Sequence, residues 1–129
     1  MVQEIEVISE TKLSNATVRL LPGQIFHIKW KGGIDIEIPD IDELSAAFEQ
    51  MTLGQKVKVI NELDHFTSIS NDARKYAAEK SPETIAIAYI IQGLGQRLVL
   101  KFYLNIRKRK NPTRVFMKYD EALEWLESL

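Results

Sequence analysis

Eight consecutive residues, Thr84-Ile85-Ala86-Ile87-Ala88-Tyr89-Ile90-Ile91, form a nearly unbroken apolar run rich in β-branched side chains. The run is far too short to span a bilayer, which takes about 20 residues. Its length suits a strand, and apolar side chains on both faces require cover on both sides. A chain with such a strand needs a layered core around it.

The flanking segments supply the layers. Ile25-Phe26-His27-Ile28-Lys29-Trp30 alternates, with Phe26, Ile28 and Trp30 on one face and His27 and Lys29 on the other. That period of two predicts a half-buried edge-type strand with His27 exposed. Pro22-Gly23 suits a type II turn, so Ala16 to Leu21 is its hairpin partner. Gly32-Gly33 leads into a third alternating stretch, Ile34 to Ile38. After Pro39, Asp40 or Asp42 is expected to cap a helix carrying Leu44, Ala47, Phe48 and Met51. Val57 to Ile60 forms a short strand. Ser70-Asn71-Asp72 opens a second helix, which Ser81-Pro82 ends. A long helix runs from about Leu94 to Arg109, stopped by Asn111-Pro112. Thr113 to Met117 is a further strand, and Asp120 to Leu129 a closing helix.

The order predicts an α/β fold: an N-terminal antiparallel meander, then βα units, in a mixed, largely parallel sheet covered by about four helices. Val57–Ile60, Ile85–Ile91 and Val115–Met117 should be parallel neighbours. A chain of 129 residues, 45% hydrophobic and 27% charged, is expected to form a single domain over residues 1–129. The net charge of −1 shows no bias toward nucleic acid or acidic membranes. The lack of cysteine excludes disulfides, thiolate nucleophiles and sulfur-ligated zinc. The two histidines lack ligand-spaced partners, so no metal site and no cofactor is expected. With neither a secretory signal nor a transmembrane segment visible, the expected location is the cytoplasm.

Three stretches carry a family resemblance. They are Asp64-His65-Phe66-Thr67-Ser68-Ile69-Ser70-Asn71-Asp72-Ala73-Arg74-Lys75-Tyr76, Asn111-Pro112-Thr113-Arg114-Val115-Phe116, and Glu121-Ala122-Leu123-Glu124-Trp125-Leu126. In this order they resemble the SpoIIAA-like group of the STAS/SEC14 superfamily, in its uncharacterised bacterial branch. The resemblance implies a compact SpoIIAA-like sandwich. It also implies either a protein-binding module, in some members switched by phosphorylation, or a SEC14-type carrier of hydrophobic ligands. The serine positions matching the phosphorylated motif are Ser68 and Ser70; the Asp and Gly of that motif are missing.

Several residues are candidates for chemistry. Ser70 suits a helix N-cap, and a phosphate there would meet free N–H groups. Asp64 and His65 follow a parallel strand, where open α/β sheets bind ligands. With Asn71, Gly93 and Gly95 they make a candidate ligand cleft. From Gly93 to Lys118 the chain has eight Lys or Arg and no Asp or Glu. Arg107, Lys108, Arg109 and Lys110 suit a helix C-terminus, or with Arg114 a patch for an anionic partner. No nucleic-acid-reading motif accompanies them. Leu100 and Leu104 lie off the core-facing stripe of their helix and are a candidate homodimer face.

The leading functional expectation is a non-enzymatic STAS-like regulatory or protein-binding module. The alternative is a binder of a hydrophobic or amphiphilic small molecule, whose sign would be an apolar cavity with few polar groups. A third possibility is an enzyme using Asp64 and His65, which would require those side chains to converge.

Overall fold

The computed structural model describes residues 7–93, 96 and 111–129. In chain order these hold β1 (Ser9–Lys12), β2 (Ala16–Leu21), β3 (Ile25–Trp30), β4 (Asp35–Ile36), α1 (Ile38–Thr52), β5 (Lys58–Leu63) and β6 (Ser68–Ile69). There follow α2 (Asn71–Lys80), β7 (Ala86–Ile91), β8 (Thr113–Phe116) and α3 (Tyr119–Glu127). The helix expected over residues 94–109 lies outside the described residues.

The main sheet has the strand order β1-β2-β3-β5-β7-β8. Its first three strands are an antiparallel meander, and β3, β5, β7 and β8 run parallel. The three strands expected as parallel neighbours are so placed. From β3 to β5 to β7 the chain moves across the sheet in one direction. Right-handed crossovers then put α1 and α2 on the same face.

The meander differs from expectation in one strand. Residues 34–38 do not join it; Asp35–Ile36 pairs parallel with Ser68–Ile69 in a separate two-stranded sheet. The meander is completed instead by the exposed β1. The cause is an earlier helix start. Glu37, and neither Asp40 nor Asp42, is the N-cap of α1, with Pro39 in the first turn, where its fixed φ is favourable. Asp40 serves that end differently. Its Oδ2 accepts the Glu37 N–H at 2.9 Å and its Oδ1 accepts from Asn15 Nδ2 at 2.8 Å. One buried carboxylate thus ties the start of α1 to the loop between β1 and β2.

The pleat divides the core in two. Phe26, Ile28, Trp30, Val59 and Ile87 face α1 and α2. Phe26 meets Phe48 of α1 edge-on, ring centroids 5.0 Å apart. On the other face Ile25, Ile60, Ala86, Ala88 and Ile90 pack against Ala122 and Leu126 of α3. Alanines on both sides of that contact let helix and sheet approach closely.

His27 departs from the expected exposed edge position. Strand β3 is interior, between β2 and β5, and His27 is 5% exposed. Its Nε2 lies 2.8 Å from Glu62 Oε1, and the Tyr119 ring covers it at 5.1 Å between centroids. The hydrogen bond from His27 holds the Glu62 carboxyl below its ordinary pKa, against the opposing effect of burial. Burial, then the Glu62 charge, pushes the Tyr119 hydroxyl up.

A carboxylate with a lowered folded pKa stabilises the fold above its unfolded pKa, and that stability is lost as pH falls through the folded value. Glu62→Gln keeps an acceptor for His27 and removes the titration. Below the ordinary value of 4.5, the wild-type denaturation midpoint should fall more steeply with pH than that of Glu62→Gln. Parallel curves through that range would refute the assignment.

Candidate functional site

Among the described residues, the face under α1 and α2 is not filled. The side of α2 toward the sheet carries Ala73, Ala77 and Ala78, whose side chains end at Cβ. The sheet opposite carries Val59, Leu63, Ile87, Tyr89 and Ile91. Between them lies a cavity of about 650 Å³. Leu44 and Phe48 of α1 complete the roof, and Ile36 and Ile69 of the β4–β6 pair line it as well.

Polar groups form the smaller part of the lining. On the sheet Asn61 supplies one, in register between Ile28 of β3 and Tyr89 of β7. Asn61 Oδ1 accepts the indole N–H of Trp30 at 3.0 Å. His65, Thr67, Ser68 and Gln96 lie where β5 and β7 end, Arg74 and Lys80 reach the lining from α2, and Ser45, Glu49, Ser81 and Thr84 lie elsewhere along it. Phe66, also lining, is 82% exposed, and its ring lies 6.2 Å from that of His65.

The loop after β5 is pinned from several sides. Asp64 Oδ1 accepts the His65 backbone N–H at 2.6 Å, and the Thr67 hydroxyl donates to the Lys31 carbonyl at 2.8 Å. Gln96 Nε2 donates to the carbonyls of Thr67 at 2.5 Å and Asp64 at 3.1 Å. Gly93 makes room for this: a Cβ there would stand 2.9 Å from Gln96 Oε1. Gly32 does the same for Asp64, whose Oδ2 would be 2.7 Å from a Cβ.

The candidate residues therefore divide. His65 and Ser68 line the cavity. The Asp64 carboxylate bonds a backbone N–H, and the His65 imidazole has no carboxylate partner among the described residues. Ser68 Oγ donates to Asp35 Oδ1 at 2.8 Å. Ser70 Oγ accepts the Ala73 N–H at 3.1 Å, capping α2. Asn71 Oδ1 accepts from Arg74 at 2.5 Å and stays exposed. Arg114 lies over the rings of Phe116 and Trp125, at 5.1 and 5.6 Å. Gly95, Arg107, Lys108, Arg109, Lys110, Leu100 and Leu104 lie outside the described residues. No cluster of three or more metal-binding side chains, and no helix long and apolar enough to cross a membrane, occurs among the described residues.

Sequence reasoning missed Asn61 as a site residue and Trp30 as its partner. The signal was a polar residue at an inward position of Val57-Lys58-Val59-Ile60-Asn61-Glu62-Leu63.

Residues 20–129 match the family described as Domain of unknown function (DUF7793), and the chain belongs to that family. No curated protein matches the chain. Among solved structures it is similar to an uncharacterised protein of the DUF3478 family from Shewanella loihica PV-4, which has a SpoIIAA-like fold. Identity is 17%, 98% of each chain is covered, and the TM-score is 0.53. It is also similar to a protein of unknown function from Arthrobacter sp. FB24, at 22% identity, with 87% of this chain and 92% of that chain covered and a TM-score of 0.32. The first likeness shows the SpoIIAA-like fold that the three sequence stretches implied.

If short alanines create the space, a larger side chain should enter it without strain. Ala77→Leu adds three carbons, each worth about 0.8 kcal/mol when buried. It should raise stability by up to about 2 kcal/mol in denaturant unfolding. A loss of about 1 kcal/mol or more would indicate overpacking of a filled core and contradict the cavity.

Proposed function

We propose that this member of the DUF7793 family is a STAS-like module that binds an apolar or amphiphilic small molecule between its sheet and the α1–α2 layer. The observation that carries this reading is the cavity of about 650 Å³, within the range of ligand pockets and walled mainly by apolar side chains. Of the readings left open by the sequence, this is the one that a mainly apolar cavity favours. The fold is compatible with it.

At about 30 Å³ per atom, the share of a water in the liquid, the volume suits a ligand of about 20 non-hydrogen atoms. With about 0.3 kcal/mol per atom, such a ligand gains about 6 kcal/mol, a dissociation constant of tens of micromolar. A protein-binding role is the second reading. The exposed Phe66 at the cavity rim is the residue that such a partner would meet.

Trp30 lines the cavity and Trp125 packs beneath the opposite face, against Phe116. Titration with diphenylhexatriene should give saturable one-to-one energy transfer from tryptophan. Absence of saturable binding would overturn the reading. So would a crystal structure in which the apolar side chains of residues 94–110 fill the cavity.

A further inference from the structure

The nature of the ligand follows from how Asn61 is held, an inference that rests on the cavity being a binding site. An indole N–H only donates, so the atom of Asn61 facing Trp30 Nε1 at 3.0 Å must be the carbonyl oxygen. The amide is planar, so fixing Oδ1 also fixes the NH2 group on the other branch. That group carries two N–H donors, and no hydrogen-bond partner for it exists among the described residues. Its surroundings on the sheet are mainly apolar: Val59 and Leu63 stand two residues away on the same strand, and its cross-strand neighbours are Ile28 and the Tyr89 ring. A donor held in a fixed direction in a mainly apolar wall can orient a ligand through an acceptor that reaches it.

We infer that the cavity selects an apolar ligand bearing a neutral carbonyl group, ketone or ester, whose oxygen accepts from the Asn61 side-chain NH2. A hydrocarbon leaves the donor unmatched. A carboxylate supplies an acceptor but brings a charge that one neutral amide cannot compensate in an apolar wall. Among the described residues, the cations that line the cavity, Arg74 and Lys80, are carried by α2, across the cavity from the sheet that holds Asn61.

Two isosteric probes isolate the oxygen: 2-undecanone, and 2-methyl-1-undecene, in which a methylene replaces it. Binding is read by displacement of diphenylhexatriene. Asn61→Leu should weaken the ketone about tenfold, the value of one hydrogen bond, and leave the alkene within about threefold. A residue that merely supports Trp30 would change both probes alike, and equal losses overturn the inference. A second readout needs no variant. The carbonyl infrared band of 2-undecanone bound to wild type should lie at lower frequency than in hexane. A hexane-like band overturns the inference even if Asn61→Leu fails to fold. Decanoate binding as tightly as the ketone at neutral pH overturns the requirement for a neutral group. Should neither undecyl probe displace the reporter, the cavity reading itself fails; binding of both without discrimination refutes the carbonyl inference alone.

Discussion

The pairing of Lys58–Leu63 with Ala86–Ile91 is the contact on which the rest of the molecule depends. Two parallel strands cannot be joined by a tight turn, so the chain between them must cross over a sheet face, and α2 is that crossing. Strand β7 is apolar on both sides and must be covered twice. On one side Ala86 and Ala88 meet Ala122, and α3 lies close against the sheet. On the other, Ile87, Tyr89 and Ile91 point toward a helix that presents Ala77 and Ala78, with Arg74 and Lys80, to the cavity. The same strand therefore has a filled face and a hollow one.

The hollow persists because the ends of the covering layer are held by polar contacts rather than by packing across it. Asp40 fixes the start of α1 to the β1–β2 loop, and Ser70 caps α2. The Ser68–Asp35 bond joins the two short strands beside the cavity, and Gln96 holds the loop after β5. Collapse of the roof onto the sheet would have to break several of these bonds. Such an arrangement keeps a cavity open at a cost in core packing.

The residues that announced themselves in the sequence did so through periodicity. The Thr84–Ile91 run and the alternation of Ile25 to Trp30 are local patterns, and local patterns set strand and face. What escaped has a nonlocal cause. Ser9-Glu10-Thr11-Lys12 carries no apolar alternation because both its faces meet solvent; only its pairing with β2 makes it a strand. Ile34, Ile36 and Ile38 alternate like a strand, yet Pro39 falls in the first turn of a helix and cuts the pattern short. His27 reads as exposed because its partner, Glu62, is thirty-five residues away. The cavity is harder still to read, since it comes from what Ala77 and Ala78 lack across from large side chains elsewhere in the chain.

Xenon occupies dry apolar cavities and is visible in diffraction. A crystal of the full chain pressurised with xenon gives the most direct test of the account. Xenon density between Phe48 of α1 and Ile87 and Tyr89 of β7 is the predicted result. No xenon there, with side chains in van der Waals contact across the layer, would contradict it.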